Sequence, residues 1–186
     1  MTVSFRHAAE FEAGGYAAYF RTVAGRTSSE RLGGLLQVNG RGEPIEFTFS
    51  SVKFEGGSLW RAGDLERGAL RSLAVSLFEG AQRSPLLLLC LAKEVPPELF
   101  RDELEVEIPV CRAAAAGDMA DIDSAEIGEE RATVDQIIHL FWCPGPPTLE
   151  SPARRLLDEL ASRSMLLEPF DRIPLGLREA LSGQGE

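Results

Sequence analysis

The sequence predicts an α/β or α+β fold: a mixed sheet with antiparallel N-terminal hairpins, a crossover helix to a central buried strand, and a C-terminal helical layer. Three observations carry this. From Asp64 to Ala81, Leu65, Ala69, Leu73 and Leu77 recur at fourth-residue steps, with Leu70, Ala74 and Phe78 beside them. That is the apolar stripe of an amphipathic helix. After the Ser84-Pro85 break, Leu86 to Leu91 is apolar without alternation, as in a strand covered on both faces. Asn39-Gly40-Arg41-Gly42 separates two further stretches and accepts the positive φ values of a tight hairpin.

In chain order, Val3 to Phe11 alternates as a half-buried strand, with His7 on its apolar side. A core or edge histidine is the expectation there. Gly14-Gly15 breaks the chain, and Tyr16 to Val23 is a second strand. Ala24 to Arg31 is a polar loop without the spaced glycines and lysine of a phosphate-binding loop. Leu32 to Val38 is the third strand. Beyond the turn, Glu43 to Phe54 puts Ile45, Phe47 and Phe49 inward and Glu46 outward.

After the helix and the buried strand, Pro96 to Arg101 reads as a short helix or turn. Leu104 to Val110 alternates cleanly and contains Pro109, as in a strand near a sheet edge. Residues 113–131 form an acidic loop: four alanines, then six acids with no base before Arg131. Thr133 to Cys143 returns to β character, and Pro144 to Pro147 ends it. Ser151-Pro152 caps a helix that buries Leu156, Leu157 and Leu160. Residues 148–182 thus form a helical C-terminal segment, with Glu168 to Pro174 leading into a last short helix.

A chain of 186 residues fits a single domain spanning residues 1–186. The first seven residues lack a basic region and a long apolar region, so a cytoplasmic location is expected. Cys90, Cys111 and Cys143 are odd in number and far apart, which suits reduced thiols. The net charge of −10 is uneven: residues 1–93 carry +2 and residues 94–186 carry −12. An acidic half repels phosphate backbones, so nucleic acid is an unfavoured partner. Any binding of it falls to the N-terminal half.

No familiar catalytic spacing is present, and no catalytic residue or cofactor is assigned. Asp118, Asp121 and Asp123 suggest a cation loop. Counted from Asp121, the positions for the calcium-binding helix-loop-helix motif hold Ala125, Glu126 and Ala132, so that motif fails. These three acids remain the candidate metal ligands. His139 and Cys143, on one strand, stand about 13 Å apart and cannot share an ion. The element order matches a ribonuclease-H-like domain. That site needs acids on the first sheet strand, the helix and the buried strand to hold two metal ions. The two strands have none, so such a copy is expected to be inactive.

The hairpin Gly34 to Phe47 resembles that of a family of uncharacterised bacterial proteins, whose pattern is aliphatic strand, glycine turn, then Pro-aliphatic-Glu-Phe. Glu168 to Ile173 is similar to a segment near their C-terminus. The resemblance implies a shared fold and brings no activity or site with it.

The leading functional expectation is a non-catalytic module that binds a protein partner or self-associates, with Trp142, Phe170 and Leu175 as anchors. Glu46 is a candidate wall of a ligand groove. One alternative is a metal-assisted hydrolase or nuclease of ribonuclease-H-like topology, drawing on Glu46, Glu66, Asp121 and Asp123. Another is a small-ligand sensor with a pocket between sheet and helix.

Overall fold

A computed structural model describes residues 2–3, 14–54, 61–122, 129–133 and 137–183. Seven strands form one mixed sheet. In sheet order they are β4 (Pro44–Lys53), β3 (Glu30–Val38), β2 (Ala17–Ala24), β5 (Leu87–Leu91), β7 (Val110–Ala115), β9 (Ile137–Cys143) and β8 (Glu129–Thr133). β2, β5 and β7 are mutually parallel, and the outer neighbours pair antiparallel. Separately, β1 (Thr2–Val3) pairs with β6 (Glu105–Val106). The rest of the expected strand Val3–Phe11, His7 included, lies outside the described residues.

Helix α1 (Ala62–Gly80) crosses from β4 to β5 over one sheet face. Its Leu77 and Phe78 pack there with Phe20, Leu35 and Leu88. β5 is buried along its whole length, as a strand paired on both sides and roofed on both faces must be. On the other face lie α2 (Pro152–Ser162) and α3 (Glu168–Ser182), which bury Leu157, Leu160, Phe170 and Ile173 against Tyr19, Leu36 and Leu89. Ser151 caps α2, its hydroxyl accepting from the Arg154 N–H at 3.1 Å. Among the described residues, no helix is long and apolar enough to cross a membrane.

Two glycines let the layers close. A Cβ on Gly34 would stand 2.5 Å from Ile173, and one on Gly33 would stand 3.0 Å from Leu77. β3 therefore admits α3 on one face and α1 on the other.

Three expectations are corrected. The edge strand Leu104–Val110 divides into β6 and an interior β7. Ala113 and Ala114 belong to that strand because their small side chains fit between Leu91, Ile122 and Leu140 or Phe141. Beyond it, Ala116–Asp121 makes a 3-10 turn. The last helix is long and contains Pro169 and Pro174. β4 is the sheet edge, so Phe47 lies against α3 while Phe49 is 37% exposed.

Candidate functional site

Because β2, β5 and β7 run parallel, their carboxyl ends meet at one edge of the sheet. Open α/β sheets hold ligands in the crevice outside such ends. The chain leaving β5 turns at once: the N–H groups of Glu94 and Val95 both donate to the Leu91 carbonyl at 3.0 Å. Arg112 of β7 locks this turn. Its Nε donates to the Val95 carbonyl at 2.6 Å and its Nη2 to the Ala92 carbonyl at 2.9 Å. Arg112 is buried among apolar neighbours, where a guanidinium needs such acceptors.

Glu94 is thereby presented to Arg21 of β2. Arg21 Nε donates to Glu94 Oε1 at 3.2 Å. The same guanidinium donates through Nη1 to the Phe170 carbonyl at 2.9 Å and reaches Asp171 at 3.4 Å. Both side chains of the pair are largely buried, 20% and 22% exposed. Glu94 Oε2 is buried and has no hydrogen-bond partner among the described residues. Burial pushes the Glu94 carboxyl above the usual carboxylate range, and the Arg21 guanidinium only partly offsets it.

Glu94 and Glu98 form the wall between two hollows. The larger, about 1170 Å³, is lined by Lys93, Arg101, Arg112, Phe141 and Cys143. The smaller, about 410 Å³, is lined by Thr22, Arg31, Glu66 and Arg67. Around them Arg31 pairs with Glu66 at 3.0 Å, Lys93 with Asp118 at 3.2 Å and Arg67 with Glu103 at 4.0 Å. The cleft presents one shielded carboxylate of raised basicity among mixed charges: Lys93, Arg101 and Arg112 with Glu98, Asp102 and Glu105 in the larger hollow, and Arg31 and Arg67 with Glu66 in the smaller.

The residues singled out in the sequence are dispersed. Trp142 is in the core, its Nε1 donating to Glu130 Oε2 at 3.1 Å. Phe170 is in the core, edge-on to Tyr19 with ring centroids 5.0 Å apart. Each packs in the layer between sheet and helices, and Trp142 also lines the larger hollow. Leu175 is exposed. Glu46 sits at the other end of the sheet, where it accepts from the Gln82 N–H at 2.7 Å and Thr48 Oγ1 at 3.2 Å. It ties down the chain entering β5, while Glu66 faces the cleft beyond the exit of that strand. The length of β5, about 13 Å, separates those two ends. Asp118 is held by Lys93, Asp121 lies on the 3-10 turn, and Asp123 lies outside the described residues. His139 and Cys143 lie on β9, opposite Ala114 and Val110. None of the three cysteines is in a disulfide. Arg21, Glu94 and Arg112 were missed. A lone arginine in an apolar strand and a Lys-Glu pair directly after the buried run were the available signals.

No protein-family model matches the chain, and no curated protein matches its sequence. In fold it is similar to the endonuclease V of Streptomyces avermitilis, with a TM-score of 0.55, 9% identity, and coverage of 92% of this chain and 83% of that one. Two further solved structures align less well. The endonuclease V of Bacillus subtilis gives a TM-score of 0.45 at 10% identity, covering 92% of this chain and 82% of that one. Marinitoga piezophila Argonaute, in complex with guide RNA and target DNA, gives 0.36 at 7% identity, covering 79% and 25%. The first likeness is one of fold, to a protein that is itself an endonuclease. It corrects two expectations: the non-catalytic protein-binding or self-associating module, and the reading of nucleic acid as an unfavoured partner. Charge counted over whole halves does not describe the cleft, where Arg31, Arg67 and Lys93 of the first half stand with Arg101 and Arg112 of the second.

The ribonuclease-H-like reading also implies two metal ions. Here the charged residue on β2 is Arg21, β5 carries no charge, and the nearby acids Glu94 and Glu66 are each paired with arginine. Among the described residues, no three His, Cys, Asp or Glu side chains could together hold an ion. These residues do not fit a two-metal centre.

Proposed function

We propose that the chain is a nucleic-acid-processing module of the nuclease fold, taking a strand across the carboxyl edge of β2, β5 and β7. The observation that supports this is the placement of Glu94, fixed by Arg21 and Arg112 beyond the end of the central parallel strand, between two hollows. Arg31, Arg67, Arg101 and Lys93 supply phosphate contacts along the cleft, as point charges and forks that position a backbone without reading its sequence. Glu94 is the general base. A carboxyl whose affinity for protons is raised by burial takes a proton from an attacking water more readily than an exposed one.

The test uses labelled single strands and duplexes of DNA and RNA in a binding and cleavage panel. The expected result is binding that weakens steeply with salt, and cleavage reduced about 10²- to 10⁴-fold by Glu94→Gln with binding retained. Failure of every strand to bind at low salt overturns the reading.

A further inference from the structure

We propose that Arg21, held on Glu94 behind the wall of this cleft, is its resident cation, so that nucleic acid binds here without a divalent ion. The ligand half of this inference rests on the function proposed above; the cation half does not. The argument starts from the disagreement with two-metal chemistry. That chemistry needs an acid on the strand where this chain has Arg21.

The guanidinium is always charged. It is fixed on three acceptors, Glu94 Oε1, the Phe170 carbonyl and Asp171. A metal ion bonded to Glu94 would sit about 2–2.6 Å from its oxygen. That places two positive groups side by side in a site that is four-fifths shielded from water, where they repel strongly. The surrounding acids are satisfied in the same way. Glu66 has Arg31, Asp118 has Lys93 and Glu103 has Arg67. Each of these three carboxylates pairs with a basic side chain of this chain, and Glu98 and Asp102 share Arg101, which leaves little demand for a recruited ion. Phosphates entering the cleft meet the same guanidinium and ammonium groups, in competition with their carboxylate partners, and need no metal bridge.

The test has two independent parts on the full chain. Manganese is titrated into the protein by calorimetry, with Glu94→Gln alongside. Labelled strands are then titrated in magnesium and in chelator at matched ionic strength. The expected results are no manganese binding that depends on Glu94, and strand affinity equal within about twofold in the two buffers, because ionic strength and not the ion itself sets it. Manganese binding that Glu94→Gln abolishes overturns the inference, and so does strand binding lost in chelator. A protein that binds no strand overturns the proposed function, while the manganese titration still decides the cation.

Discussion

Arg21 donates to the carbonyl of Phe170 at 2.9 Å across the gap between β2 and α3. In an unbroken helix that carbonyl would accept from the N–H four residues on. That residue is Pro174, which has none. Arg21 supplies the missing donor and keeps the helix continuous through its proline. The same guanidinium reaches Glu94. One side chain thus ties the C-terminal helical layer to the turn that carries the candidate catalytic carboxylate.

Glu94→Gln is expected to raise stability at neutral pH. The folded carboxyl has a raised affinity for protons, chiefly through burial. Between its unfolded and folded values the folded state binds more protons, so stability falls as pH rises through that window. The neutral amide escapes this penalty. Thermal melts of wild type and variant should converge as pH drops toward the ordinary carboxylate value and separate above the raised one, with the variant higher. A variant melting lower at neutral pH would show that the Arg21 pairing outweighs desolvation.

Gly34→Val and Gly68→Ala should move stability in opposite directions. A side chain at Gly34 collides with Ile173 and Phe47, whereas one at Gly68 on α1 meets nothing within 4 Å. Overpacking costs about 1–3 kcal/mol. Alanine for glycine in an exposed helix gains about 0.5–1 kcal/mol. Urea midpoints at constant slope measure both.

Arg112→Met should cost about 2–3 kcal/mol, since charged hydrogen bonds to two carbonyls are lost and those carbonyls stay buried. It should also release the Ala92–Val95 turn. Denaturant unfolding gives the first effect. Weakened strand affinity in the surviving folded fraction gives the second.

Tyr19 should never ionise in the native state. Its hydroxyl donates to the Met165 carbonyl at 2.7 Å, and burial drives its ionisation far above the ordinary phenol range. Ultraviolet titration should show no phenolate from this residue until the protein unfolds. Tyr19→Phe should lose about 1–2 kcal/mol by leaving that carbonyl unpaired.

Much of the architecture was legible because hydrophobic periodicity records burial. The Leu65–Leu77 stripe and the unbroken Leu86–Leu91 run gave the crossover helix and the central strand, and Asn39-Gly40 gave the hairpin. Where packing rather than pattern decides, the sequence was mute. Ala113 and Ala114 carry no strand signal, yet they fill β7 because their neighbours leave room only for small side chains. Pro174 reads as a helix breaker until Arg21, 153 residues earlier, is seen to donate to the carbonyl it orphans. The site was hidden for the same reason. Arg21, Glu94 and Arg112 share no local motif and meet only when three parallel strands end together. The candidates chosen from sequence were the conspicuous ones, an acidic run, a strand glutamate and large apolar side chains near the C-terminal half's prolines. The fold uses Glu46, Trp142 and Phe170 to hold itself together.

Amide hydrogen exchange, compared with and without a saturating labelled strand, tests the central claim most directly. The account predicts slowed exchange confined to the carboxyl edge: the Ala92–Val95 turn, the end of β2 and the first turns of α1. Protection confined to the β4 edge or to the C-terminal helices, with that edge unchanged, would contradict it.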